Sequence, residues 1–241
     1  MTGVTAGPRR RRRWPWVVGA VSIVAAGGLF LFGLELTLRD LDTYTADLTR
    51  GHGDFPAFDS AKHSTSYQSD GYHLAITQPG AYAPAGIKST KAHTAVAVEI
   101  EATAHVVPPG AAFGPFCWED PSHGYGLLID GSGVPQLVQI MVESSGEIPP
   151  SSELIVLATG SPSSATPGQS HRLMLTCDTT GRSPTQLKGY VDNVKVIEAS
   201  ATTSVSEFGY TGIAGRTGDA TPAEWSVATF WQKGPAAMPT G

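Results

Sequence analysis

From its first residue onward, the chain changes periodicity twice. Residues 14–34 run for 21 positions without a charged side chain. At 1.5 Å of rise per residue, a helix of that length crosses the roughly 30 Å of hydrocarbon in a bilayer. The segment predicts one transmembrane helix, placed at 14–36. Beyond it, Leu34, Leu38, Leu41 and Leu48 recur at separations of 4, 3 and 7, the stripe of a helix. Residues 37–53 therefore read as a helical stalk or linker, broken at Gly51-His52-Gly53, where two close glycines lose too much backbone entropy to continue it.

From Asp54 the period shortens to two. Val96, Val98 and Ile100 alternate with Ala97, Glu99 and Glu101, which puts the aliphatic side chains on one face of a strand and both carboxylates on an opposite, solvated face. Residues 125–129 and 136–142 flank Asp130-Gly131-Ser132-Gly133, whose glycines supply the positive φ of a hairpin connection. Residues 189–191 and 194–197 bracket Asp192-Asn193, two residues that tolerate the left-handed conformation, and predict a second hairpin. Stretches such as 160–169, rich in Gly, Ser, Thr and Pro, read as surface loops. Many short strands without intervening helices predict an all-β, two-sheet antiparallel sandwich over residues 54–233, with 234–241 as a flexible tail. No fixed-period repeat supports a propeller or solenoid.

Charge adds an orientation. Five of the 16 basic residues form the run Arg9 to Arg13, which leaves 11 basic against 20 acidic residues from Arg39 onward. Arginines next to a span stay on the cytoplasmic side, and Trp14 and Trp16 suit the headgroup layer. Residues 1–13 are thus expected inside and the sandwich outside, as a single-pass membrane protein. A cleaved signal peptide is the alternative, since Val24-Ala25-Ala26 loosely matches a cleavage site, but apolar residues continue to Leu34 beyond the usual h-region. Both readings put the domain outside the cytoplasm. An acidic body repels phosphate backbones, so no nucleic-acid partner is expected.

Cys117 and Cys177 are the only cysteines. In an oxidising compartment they predict one disulfide, with two buried free thiols as the alternative.

The residues also carry a resemblance. Asp70-Gly71-Tyr72-His73-Leu74 after Phe58, Phe113-Gly114-x-x-Cys117-Trp118, Tyr125-Gly126-Leu127-Leu128-Ile129, Leu173-x-Leu175-x-Cys177, Gly189-Tyr190-Val191-Asp192-Asn193, Gly209-x-x-Gly212-Ile213 and a terminal Phe230 follow in order. Together they resemble the jelly-roll domain of concanavalin A-like lectins and glucanases. The likeness is greatest to the form outside single membrane helices in actinobacterial membrane proteins, related to the 3-keto-disaccharide hydrolase type. The resemblance implies a two-sheet jelly roll that often binds sugars or polymers.

Catalysis finds little support in the sequence. Glu99 and Glu101 share a strand face at about 7 Å backbone separation, a spacing near that of paired glycosidase carboxyls. Related glucanases carry Glu-x-Asp-x-x-Glu, whereas Glu99-Ile100-Glu101-Ala102-Thr103-Ala104 lacks the final acid. There is no Gly-x-Ser-x-Gly elbow. His73, His105, His123 and His171 come from separate segments without ligand spacing, so no metal and no cofactor is expected. For a ligand contact, Trp118 and Tyr125 are the candidates, Trp118 because Glu119, Asp120 and Pro121 follow it; Trp225 and Trp231 read as core. The sequence thus points to a membrane-anchored, non-catalytic binding or sensing domain, with a cell-wall glycan or an envelope protein as partner.

Overall fold

The computed structural model describes residues 43–51, 53–120, 123–141, 154–180, 184–201, 203 and 205–234. Fifteen strands follow one another within them, all in the unit that begins at Leu41. They are β1 (Tyr44–Asp47), β2 (Phe58–Asp59), β3 (His63–Gln68), β4 (Gly71–Ile76), β5 (Tyr82–His93), β6 (Ala95–Val106), β7 (Ala112–Asp120) and β8 (His123–Asp130). After these come β9 (Pro135–Met141), β10 (Leu154–Thr159), β11 (Ser170–Asp178), β12 (Gln186–Val191), β13 (Val194–Ser200), β14 (Phe208–Arg216) and β15 (Ala223–Lys233). Among the described residues there is no α-helix, and none is long and apolar enough to cross a membrane. The expected span at 14–36 lies outside the described residues.

The strands form two antiparallel sheets. The nine-stranded sheet runs β13-β12-β11-β6-β15-β4-β3-β2, with β1 added to β15; the six-stranded sheet runs β10-β9-β8-β7-β14-β5. Alternation decides which side chains meet between them. From the larger sheet come Leu74 and Ile76 of β4, Val96, Val98 and Ile100 of β6, Leu175 of β11 and Trp225 of β15. From the smaller sheet come Phe113, Leu127, Leu137 and Ile213. Removing each such side chain from water contributes about 1.5–3 kcal/mol. The Cys117–Cys177 disulfide joins β7 to β11 and so ties one sheet to the other.

Local turn chemistry is as the sequence predicts, except that of the two glycines after Asp130 only Gly133 takes a positive φ, 78°. Asp192 and Asn193 hold φ of 50° and 67°, the double left-handed geometry of a two-residue hairpin turn. Asp130 ends β8, and its Oδ1 accepts from the backbone N–H groups of Ser132 and Val134 across the next hairpin. The stalk is a correction. Residues 44–47 are a strand paired with β15, and residues 48–50 make one 3-10 turn whose Leu48 is fully buried. Tyr44 and Thr45 favour extended backbone, and pairing with β15 outweighs the 4-3-7 leucine stripe. The sandwich therefore begins before residue 54.

The smaller sheet is largely apolar on both sides, with Arg216 Nη2 donating to Gln136 Oε1 at 2.6 Å among its outward groups. On its outer side Tyr82, Phe116, Trp118, Leu128, Val138, Ile140 and Leu154 form a second buried cluster. Phe116 and Trp118 lie stacked with centroids 5.4 Å apart, and glycines make their bed. A Cβ at Gly126 would stand 2.2 Å from the Phe116 ring, and one at Gly124 would stand 2.4 Å from Trp118.

Two expectations follow. Reducing the disulfide, or replacing both cysteines by alanine, removes a cross-link spanning 60 residues; denaturant titration should show a loss of about 4 kcal/mol on the chain-entropy account. Gly126→Ala should destabilise by roughly 1–3 kcal/mol in the same assay, because the ring and the neighbouring strands must move to admit a methyl group. An unchanged midpoint would contradict the packing described.

Candidate functional site

The outer side of the nine-stranded sheet differs from that of the smaller one: it is polar, with aromatics set into it. Cross-strand register lines up Thr45, Trp231, Glu99, Met174 and Tyr190 in one row over β1, β15, β6, β11 and β12. With strands about 4.8 Å apart, Trp231 and Tyr190 stand roughly 14 Å from one another. Both are half-buried. The next row carries Thr229, Glu101 and Arg172.

Charge is organised around Glu99. Its side chain is 7 % exposed, and Oε1 meets Arg172 Nε at 3.1 Å while Oε2 meets Lys233 Nζ at 2.7 Å. A buried carboxylate needs such partners, since desolvating it alone costs several kcal/mol. The Arg172 guanidinium lies over the Trp231 ring, 5.6 Å from its centroid, a cation–π contact of about 0.5–2 kcal/mol. Arg172 is fixed from its backbone too: its N–H donates to Asp192 Oδ1 at 3.0 Å, and its carbonyl accepts from Asp192 N at 2.8 Å. The hairpin turn between β12 and β13 thus positions the arginine above the tryptophan.

The face that the sequence assigns to solvent is therefore only partly solvated. Glu99 is buried because its two cations arrive from β11 and β15. Glu101 accepts from Ser170 Oγ at 3.2 Å and Thr229 Oγ1 at 3.4 Å. Each carboxylate is engaged in holding the sheet face together.

Farther along the same face, scattered histidines meet. His73 Nε2 lies 2.7 Å from Asp70 Oδ1, and His73 Nδ1 lies 3.2 Å from Glu224 Oε1. The His73 and His105 rings stack 5.5 Å apart, and His105 Nε2 is 2.8 Å from Ser226 Oγ. The hydrogen bond from His73 holds the Asp70 carboxyl below the usual carboxylate range. Asp70, His73 and His105 each offer a donor atom within 4.8 Å of the others. Sequence spacing hides this group, because β15 lies between β4 and β6 and the residues become neighbours only across it.

The two aromatics expected at a ligand lie elsewhere. Trp118 is 4 % exposed in the outer cluster of the smaller sheet, pressed over Gly86, Gly124 and Gly212. Tyr125 is 1 % exposed between the sheets, and its hydroxyl donates to Thr203 O at 2.6 Å. Trp231, expected in the core, is on the outer face. Trp225 and Trp231 are six residues apart and should face the same way along a regular strand. A register shift between Val227 and Thr229 reverses the phase, leaving Trp225 and Phe230 inward and Trp231 outward.

No known protein-family model matches this sequence, and no curated protein does. Solved structures do match. A protein of unknown function with a galectin-like fold from Bacillus subtilis superposes with TM-score 0.54 at 12% identity, over 79% of this chain and 94% of that one. Bacillus licheniformis beta-glucanase gives 0.51 at 12% identity, over 80% and 98%. A sialidase gives 0.57 at 13% identity over 80% of this chain, which spans only 18% of that protein. Identities this low speak for architecture, and with the two antiparallel sheets above they show that the body of this chain has the concanavalin A-like, galectin-like jelly-roll fold.

Proposed function

We propose that this chain is a membrane-tethered, extracytoplasmic, non-catalytic glycan-binding module, and that its binding surface is the outer face of the nine-stranded sheet around Trp231, Arg172 and Tyr190. The carrying observation is the row in which an arginine-braced tryptophan and a tyrosine flank the buried Glu99. Sugar recognition uses aromatic faces against apolar ring patches together with a few fixed polar groups, and this face supplies both. The fold is shared with a beta-glucanase and a sialidase, which makes a carbohydrate the leading class of ligand.

The non-catalytic half of the proposal rests on the carboxylates. Glycoside hydrolysis needs one carboxyl to give a proton and another to attack or to activate water. Both oxygens of Glu99 are occupied by cations, and both oxygens of Glu101 accept from hydroxyl groups. The tether rests on the uncharged run at 14–34 beside the five arginines. A cell-wall polymer is the glycan such a position makes available.

Pull-down of the full chain on insoluble cell-wall polysaccharides should show binding, and Trp231→Ala should weaken it about tenfold or more, equivalent to ~1.4 kcal/mol. Trp118→Ala should lower thermal stability without selectively weakening binding. Capture of an envelope protein with no polysaccharide retained would favour a partner-binding role, and release of reducing sugar abolished in Glu99→Gln would replace binding by hydrolysis. For topology, a tag fused after Gly241 should be digested by protease added to whole spheroplasts; a protected tag would reverse the orientation.

A further inference from the structure

We infer that Asp70, His73 and His105 form a binding site for a divalent transition-metal ion of the zinc class, on the outer face of the nine-stranded sheet. This does not depend on the glycan reading. Three donor atoms from two strands and a turn lie within 4.8 Å of one another. The fold drives them together. Asp70 belongs to the tight β3–β4 turn, and the following residue, Gly71, has φ 141° and lies so close to β15 that a Cβ would stand 2.3 Å from Val227 O. Only glycine permits that approach. The turn is thus drawn toward β15, with His105 arriving on β6 from the other side of that strand.

The surrounding hydrogen bonds suit a metal. Imidazole ligands usually give their second ring nitrogen to a carboxylate, which fixes the tautomer and strengthens the ligand. His73 has this arrangement, with Nε2 toward Asp70 and Nδ1 3.2 Å from Glu224 Oε1. Ser226 Oγ lies 2.8 Å from His105 Nε2 and adds a nearby oxygen. Zinc bonds of about 2.0–2.1 Å in a tetrahedron set donors roughly 3.3 Å apart. Asp70 must then withdraw a little from its 2.7 Å contact with His73, which a carboxylate 52 % exposed can do.

Donor chemistry selects the ion. Two imidazole nitrogens and one carboxylate favour zinc, nickel, cobalt or copper over calcium and magnesium, which prefer all-oxygen shells. The Asp70 and His105 side chains are 52 % and 35 % exposed, so coordination positions remain accessible to water or to an oxygen of a bound molecule. The site resembles catalytic zinc centres in keeping three protein ligands and an open position.

The test uses the untagged, full-length chain stripped with EDTA. Calorimetric titration with Zn2+ alone should show one ion per folded chain, with no comparable signal for Ca2+, and saturating Zn2+ should raise the melting temperature by about 5 °C. His105→Ala should abolish that binding and the shift. His105→Gln, which retains a polar partner for Ser226, should do the same and guards against a simple folding defect. Glu224→Gln should keep the stoichiometry and weaken affinity about 10- to 100-fold. Absence of Zn2+ uptake by the folded wild type, or equal uptake by both His105 variants, would overturn the assignment and leave an ion-pair cluster.

Discussion

Of the two places where the register of strand β15 against β6 slips, the one between Val227 and Thr229 keeps Trp225, Val227 and Phe230 on the core side. Three neighbours depend on that strand: β6 along its length, β4 beside its first half and β1 beside its second. Without the slip, Trp225 and Val227 would face the core while Phe230 faced solvent, since strict alternation separates odd from even positions. With it, Trp225, Val227 and Phe230 all pack inward, and Trp231 emerges beneath Arg172. The bulge at Ala228 thus completes the core and furnishes the outer face with its tryptophan.

The two sheets resolve their outer faces differently. Phe116 and Trp118 fill the smaller sheet's outer side by lying down over glycine backbone, which leaves no standing side chains between them. Glycine within a strand weakens it, and its usual compensation is a close approach of this kind. On the larger sheet, charged and hydroxyl groups from several strands interlock instead. The aromatics of the smaller sheet's outer side are buried, and the polar side is where aromatics remain partly open. Residue type alone suggests the opposite.

Much of the architecture was legible because its signals are local. Alternation around Val96, Val98 and Ile100, the glycines after Asp130, and Asp192-Asn193 each act within a few residues, and each produced the strand or turn expected. The cysteine pair followed from count and from the compartment expected. What escaped is set by distance or by phase. The bulge in β15 moved Trp231 from core to face, and glycines on three other strands let Trp118 lie against the sheet. Partners for Glu99 come from β11 and β15, and His73 meets His105 only across an intervening strand. In β1, four residues gain stability from pairing rather than from their own pattern, so the leucine stripe misled.

Glu99 bears on the proposal that the outer face is a binding surface. Replacing a buried ion pair with apolar residues of similar volume is often neutral or stabilising, whereas removing one partner is costly. A sheet built only to be stable could carry aliphatic residues at the positions of Glu99, Arg172 and Lys233, as the outer side of the smaller sheet does with Leu128 and Val138. Retaining the charges has a geometric result instead. Glu99 takes Arg172 through Nε, Asp192 fixes its backbone and Trp231 supports its plane. The guanidinium is thus held in place beside an aromatic ring. Preorganisation of this kind lowers the entropy lost when a polar ligand docks, which is what the proposed glycan-binding surface requires.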